Sequence, residues 1–316
     1  MTRTPFRTRT LGAAALVAAV ALTGAACGKS GDSTNAGSGG GSSSSASKGG
    51  DTKSFSYKVN TAADLKGSPV WAKAKKTGKI TIGVKADQPG LGFQDVGTKK
   101  YSGFDIEIAR MVAADLGFAE NQINYKTIDS AQREAALSGG QVDLYVGTYT
   151  INDERKKQVS FAGPYFVAGQ DLLVQKSNSD ITGPTTVKGK KVCSVEGSTP
   201  LQNISQKKYG ATTSSFDKYS KCVNTLLSGQ VDAVTTDDAI LLGYAAQYPD
   251  KLKVVGKPFT KEPYGVGLKK GDTALQTAVD NAITAHEQSG DWKKAFEATL
   301  GKSGMTAPQP PAITEK

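Results

Sequence analysis

Apolar positions along this chain switch repeatedly between a period of two and a period near 3.6. Lys79–Lys85 (KITIGVK) alternates apolar and polar residues, which predicts a strand. Phe104–Leu116 places Phe104, Ile108, Met111, Val112 and Leu116 at helical spacing. Ile123–Ile128 and Val142–Val146 read as strands, with a short helix between them from about Ala131. The pattern then recurs, with strands at Lys191–Val195 and Val231–Thr235 and helices at Leu201–Lys208, Tyr219–Leu227 and Ala239–Gln247. A late strand at Gly265–Lys269 precedes helices at about Thr273–Gln288 and Asp291–Leu300. Alternation of this kind predicts an α/β architecture.

Two segments read as copies. Leu137-Ser138-Gly139-Gly140-Gln141-Val142-Asp143 precedes one predicted strand, and Leu227-Ser228-Gly229-Gln230-Val231-Asp232 precedes another. Each ends a helix on glycine, which supplies the left-handed residue that a helix C-terminus needs, then turns and enters a strand at Val-Asp. The shared order favours two similar lobes over a chance recurrence of helix-to-strand turns.

In open α/β sheets ligands bind beyond the carboxyl ends of strands, so the candidate site follows four of them. After the first comes Lys85-Ala86-Asp87-Gln88-Pro89-Gly90-Leu91-Gly92; a third glycine is missing and no helix opens there, which argues against a dinucleotide loop. After Val146, Asn152 is a candidate N-cap that puts Arg155 in the first turn of a helix. Backbone N–H groups of Thr148 and Thr150, with Arg155 nearby, suit a carboxylate. After Val195, Pro200 fits an early helical position, so Ser198 or Thr199 opens another helix toward an anion. After Thr235, the carboxylate of Asp237 or Asp238 suits an ammonium group. The plainer alternatives are a helix-capping aspartate and a solvated Arg155.

The N-terminal stretch adds a destination. Arg3, Arg7 and Arg9, the apolar run Leu11–Leu22 and small residues to Ala26 make residues 1–26 a secretory signal peptide; the run is too short for a membrane span of about 20 residues. Cys27 follows directly and resembles the lipid-modified cysteine of a bacterial lipobox, although Gly24 stands where such boxes usually carry leucine. The alternative is ordinary cleavage near Ala26 with Cys27 incidental. Residues 27–53 are rich in Gly and Ser without apolar periodicity, a flexible tether spanning roughly 25–30 Å. The Pro-rich residues 305–316 read as a loose tail.

Composition narrows the chemistry. The net charge of +10 is spread along the chain, and no aromatic-interleaved basic patch points to nucleic acid. Three cysteines are an odd number for an exported chain. If Cys27 carries lipid, Cys193 and Cys222 remain, either as a disulfide, which persists outside the cytoplasm, or as two buried thiols. The single histidine, His286, lies in a polar late helix and reads as solvated, so neither a zinc site nor a histidine-based triad is expected. No cofactor is expected.

Gly103-Phe104-Asp105-Ile106-Glu107-Ile108-Ala109-Arg110-Met111-Val112-Ala113-Ala114-Asp115-Leu116 resembles throughout the signature of the bacterial family 3 extracellular solute-binding proteins, and the likeness runs from about Leu65 to Leu300. It implies a type II periplasmic-binding-protein-like fold, two α/β lobes joined by two hinge strands that close on an amino acid for an ABC permease. The first lobe is expected at 54–168 and 265–304 and the second at 169–264, with hinges near Val167–Gln170 and Pro263–Gly265. Within the family, Asp87–Gly92, Ser130–Glu134, Cys193–Val195, Gly197–Pro200 and Val231–Asp237 resemble the actinobacterial glutamate-binding lipoproteins, whose cysteine pair Cys193 and Cys222 also resemble. The same resemblance implies that Arg155 grips the α-carboxylate, helped by backbone groups at Thr150 and Thr199. It gives the α-ammonium to Thr148 and Asp237, with Asp237 preferred over Asp238, and the side-chain carboxylate to Ser130 and Arg133. Lys85 replaces an arginine there, which keeps the charge and loses the bidentate fork.

The expected function is therefore non-catalytic capture of an acidic amino acid, glutamate first and aspartate next, at the extracytoplasmic face of the cell membrane, and delivery to a membrane permease. Lys85, Arg133 and Arg155 outweigh Asp237, so a basic ligand would face cations, and an amide would leave a buried cation unpaired at a cost of several kcal/mol. The competing readings are a dehydratase-like enzyme of the same fold, with Glu196 as general acid, and a receptor for glutamine or asparagine.

Overall fold

The computed structural model describes residues 55–315; the expected signal peptide, Cys27 and the expected tether lie outside the described residues. Ser68 caps α1 (Pro69–Thr77) by accepting the Trp71 N–H at 3.1 Å, and Gly78 closes the helix at φ 69°. The chain continues through β1 (Ile80–Val84), a short hairpin of β2 (Phe93–Gln94) and β3 (Tyr101–Ser102), α2 (Phe104–Asp115), β4 (Ile123–Thr127), α3 (Arg133–Ser138), β5 (Leu144–Tyr145), α4 (Asp153–Lys156) and β6 (Val159–Ala168). After Gly169 come β7 (Gln170–Gln175), β8 (Lys191–Val195), α5 (Thr199–Ile204), β9 (Thr212–Phe216), α6 (Tyr219–Leu227), β10 (Ala233–Asp237), α7 (Asp238–Gln247) and β11 (Leu252–Val254). Finally β12 (Glu262–Lys269), α8 (Thr273–Gln288) and α9 (Asp291–Ala298) lead into the tail.

Two five-stranded sheets organise these elements. The first has the order β4-β1-β5-β12-β6 and the second β11-β7-β10-β8-β9. In the first, β1 runs parallel to β4 and β5 while β12 runs antiparallel to β5 and β6. In the second, β8 is parallel to β9 and β10, and β7 is antiparallel to β10 and β11. The chain passes from the first sheet to the second through Gly169 and returns between Val254 and Glu262. The return lies upstream of the expected Pro263–Gly265, because β12 already begins at Glu262.

The twin Val-Asp segments perform one structural task in both lobes. Asp143 N–H donates to the Thr81 carbonyl at 2.8 Å while its carboxylate accepts Thr81 N–H at 2.8 Å. Asp232 treats Lys191 in the same way, at 2.8 and 2.7 Å. Each aspartate thus locks the start of the neighbouring parallel strand, and the strands proper begin one residue later, at Leu144 and Ala233.

Several expectations shift. α2 is buried nearly all round rather than along one stripe, from Phe104 to Ala114 with Arg110 excepted. α5 starts at Thr199 under a Ser198 cap and stops at Ile204, well short of Lys208. β6 and β7, not anticipated, are buried on both faces and show no alternation. The tail after Met305 reads as loose from composition, yet Ile313 packs on the core, Thr314 N–H donates to the Gly163 carbonyl at 2.9 Å and Glu315 pairs with Lys156. His286 is half-buried between Asp291 and Asp115, 3.2 and 3.5 Å from their carboxylates. A disulfide joins Cys193 on β8 to Cys222 on α6, with Cα atoms 5.6 Å apart. Among the described residues no helix is long and apolar enough to cross a membrane.

Candidate amino-acid cleft

The carboxyl ends of β5, β8 and β10 converge on a small, nearly filled cavity of about 10 Å³ between the lobes. Ser130, Arg133, Thr148, Thr150, Arg155, Ser198, Thr199, Pro200, Tyr219, Asp237 and Ile240 line it. All the anticipated contact residues except Lys85 are on its wall. Lys85 stands behind Ser130, its Nζ donating to Ser130 Oγ at 3.2 Å, and burial lowers its pKa. A larger groove, about 690 Å³, flanks the β2–β3 hairpin on the first lobe, but its arginine, Arg110, is already paired with Glu107 and Glu120.

Asn152 caps α4 by accepting Arg155 N–H at 2.9 Å, which puts the arginine in the first turn as its spacing predicts. Arg155 Nη1 donates to the Thr150 carbonyl at 2.6 Å, Nη2 to the Gly197 carbonyl at 3.0 Å, and Nε faces Glu134 at 3.3 Å. Arg133 shares the Gly197 carbonyl at 3.1 Å and also donates to the carbonyls of Ser130 and Thr148. The Tyr149 ring lies 4.4 Å from the Arg133 guanidinium and 5.0 Å from that of Arg155, a favourable cation–π seat for both. Burial, then the like charge of Arg133, pushes Arg155 down to about 10.

Thr148 sits in left-handed backbone at φ 46°, a conformation that costs a threonine energy and needs support. Asp105 supplies it by accepting Thr148 N–H at 3.1 Å, and Gln88 engages the hydroxyl at 3.2 Å. Asp105 is itself buried, accepts the Tyr165 hydroxyl at 2.8 Å and is pushed up to about 7 by burial.

At the opposite wall β10 ends on Asp237. Its Oδ2 accepts the Tyr264 hydroxyl at 2.6 Å, and its buried Oδ1 meets no donor among the described residues. Burial, then the neighbouring Glu262, pushes this carboxyl up to about 8. Asp238 is occupied elsewhere, accepting the N–H groups of Gly169 and Ala239 at 3.2 and 2.8 Å, so Asp237 is the aspartate that faces the cleft. Thr199 donates to Glu262 at 2.7 Å, and its hydroxyl lies 3.4 Å from that of Thr150.

Five residues that the sequence reading gave no role, Gln88, Asp105, Tyr149, Glu262 and Tyr264, support the lining side chains from behind. Glu196, the acid of the enzymatic reading, is exposed, and among the described residues its carboxylate accepts only the Ser215 hydroxyl, at 3.4 Å. Among the described residues no cluster of His, Cys, Asp or Glu could hold a metal ion.

The model of the bacterial extracellular solute-binding proteins, family 3, matches residues 80–302. The chain is similar to glutamate-binding protein GluB of Corynebacterium glutamicum, 36% identical over 266 residues that cover 81% of this chain and 90% of that protein. It is similar to the ABC transporter glutamine-binding protein GlnH of Bacillus subtilis, 38% identical over 72% of this chain and 82% of that one. Among solved structures it is similar to an ancestral arginine-binding protein bound to arginine, with a TM-score of 0.65 and 38% identity over 70% of this chain and 97% of that one. The three proteins are named for an acidic, an amide and a basic amino acid.

Proposed function

The chain belongs to the bacterial extracellular solute-binding proteins, family 3, and from that premise we propose that it captures an acidic amino acid, glutamate before aspartate, for an ABC permease. As an amino-acid solute-binding protein it is a receptor and not an enzyme.

One observation carries the acidic choice. Among the described residues no carboxylate lies within 4.0 Å of Lys85 or Arg133, whereas Arg155 has Glu134. Two buried cations at one end of the cleft, hydrogen-bonded only to a hydroxyl and to carbonyls, favour a ligand whose side chain brings negative charge. In this reading Ser130 and Arg133 receive the side-chain carboxylate, and Lys85 adds its charge from behind, through Ser130. Arg155, with the backbone of Thr150 and Thr199, holds the α-carboxylate, and Thr148 and Asp237 hold the α-ammonium. A glutamine ligand is the second reading. It draws support from the wider charge balance, since Glu134 and Glu262 act on Arg155 and offset part of the charge of the three cations. Those acids, however, gather around Arg155 and Thr199, while the acids nearest Lys85, Asp87 and Asp129, form no ion pair with it within 4.0 Å.

A thermal-shift panel of the twenty amino acids on the mature protein tests the proposal, because a ligand that binds the folded state raises its melting temperature by mass action. Glutamate is expected to give the largest shift and arginine none. A larger shift with glutamine or arginine would overturn the acidic assignment. Attachment of the receptor to the outer face of the membrane through lipid on Cys27 is part of the proposal and rests on the sequence alone.

A further inference from the structure

In the loop after β1, Asp87 and Pro89 reach the other lobe outside the ligand cavity. Asp87 lies on the first lobe, yet its Oδ2 accepts the N–H of Ser220, in the first turn of α6, at 3.2 Å. That helix has no side-chain cap of its own, since Lys218 at its N-cap makes no such bond. Two contacts stand beside it. The hydroxyl of Tyr244 on α7 donates to the backbone carbonyl of Asp87. Gly243, inside the same helix, approaches the Pro89 backbone so closely that an added Cβ would lie 2.2 Å from its carbonyl oxygen. Glycine inside a helix is unfavourable relative to alanine, so its presence at this point is accounted for by the approach of the other lobe.

We propose that Asp87, Tyr244 and Gly243 form a clasp that holds the lobes together independently of which amino acid lies between them. Asp87 supplies across the interface the anionic cap that a helix N-terminus favours, and Gly243 supplies the room for it. None of the three lines the cavity. Their contribution is to the equilibrium between separated and closed lobes, and apparent affinity scales with the closed fraction. Asp87 is a positioning residue: it acts through closure and does not read the ligand. The inference rests on the reading of the chain as a receptor whose lobes close on an amino acid, and does not depend on the choice of glutamate.

Three forms of the mature protein decide it: wild type, Asp87→Ala and Gly243→Ala. Fluorescence energy transfer between one label on each lobe reads closure, and calorimetry reads affinity for glutamate, aspartate and glutamine. Both variants are expected to shift the transfer efficiency toward separated lobes. Asp87→Ala is expected to weaken every amino acid that binds wild type by one common factor, about three- to thirtyfold on the scale of a lost helix cap. Gly243→Ala is expected to weaken binding while keeping or raising the melting temperature, since alanine is the better helix former; a merely structural role would lower both together. Unchanged lobe distance in both variants, or a loss confined to one amino acid, would overturn the clasp. If none of the three amino acids binds wild type, the acidic-ligand reading fails, and the lobe distances measured without amino acid still decide this proposal.

Discussion

The hydroxyl of Tyr264, on the strand that returns to the first lobe, donates to the carboxylate of Asp237, at the end of a central strand of the second, at 2.6 Å. The bond fixes one oxygen of a buried carboxylate and leaves Oδ1 without a donor among the described residues. An ammonium group placed there would gain a charge-assisted hydrogen bond.

Asp237→Asn is therefore expected to weaken every amino acid, by about 2–5 kcal/mol, the range for losing one partner of a buried charge pair. Calorimetry checks it. A loss limited to acidic ligands would place Asp237 at the wrong end of the ligand.

The raised pKa of Asp237 adds a pH dependence. Its carboxyl stands at about 8 in the folded protein, against about 3.9 in an unfolded chain. An ammonium needs the carboxylate, so below about 8 binding must expel a proton, and affinity rises with pH and then levels off. The effect on stability has the opposite sign: the folded state holds the proton more tightly, so this group's contribution is full below about pH 4 and is lost as pH rises through about 8. Calorimetry with glutamine, which brings no second carboxylate toward Lys85, isolates the binding effect. A flat profile between about pH 6 and about 9 would count against it.

Selectivity is expected to separate the three cations. Arg155→Ala should weaken all amino acids and leave the ratio of glutamate to glutamine affinity near wild type. Arg133→Ala or Lys85→Ala should cost glutamate about 2–5 kcal/mol and glutamine less, collapsing that ratio. If both leave the ratio unchanged, the side-chain pocket is misassigned.

The Cys193–Cys222 disulfide spans a sequence separation of 29. In the chain-entropy model a loop of this size is worth about 3–4 kcal/mol. Denaturant unfolding of the Cys193→Ser/Cys222→Ser double variant should show a loss of that order. Equal midpoints for the two proteins would refute it.

Cys27→Ser is expected to release the protein into the medium or to leave the precursor unprocessed, and a palmitate analogue should label only the wild type. Two acyl chains suffice for stable anchoring. Wild type that takes up no label would remove lipid from the proposal.

Periodicity made β1, α2 and α6 legible, close to where alternation and helical spacing put them, although only α6 keeps an exposed face. β6 and β7 escaped because they are buried on both faces, and alternation marks only strands with a wet side. Arg155 and Thr199 were legible from their place beside a helix start, which the Asn152 and Ser198 caps define. Glu262 and Tyr264 were not, since only the return of β12 between β5 and β6 brings them to the cleft. Asp237 and Asp238 are adjacent in sequence and differ in what they touch, which no local pattern reports.

The position of β12 also sets an order of assembly. Every strand of the second sheet comes from residues 170–254, so that lobe can fold from one unbroken stretch of chain. The first sheet cannot: β6 pairs only with β12, and β12 arrives about a hundred residues after β6 begins. A chain emerging N-terminus first thus presents β6 without its partner strand until the second lobe has already passed. Long-range pairings form late because the loop between them must close first. The element that completes the candidate cleft, by bringing Tyr264 to Asp237, is also the one that must wait longest, and during that wait the exposed edge of β6 is where a chaperone would have most to protect.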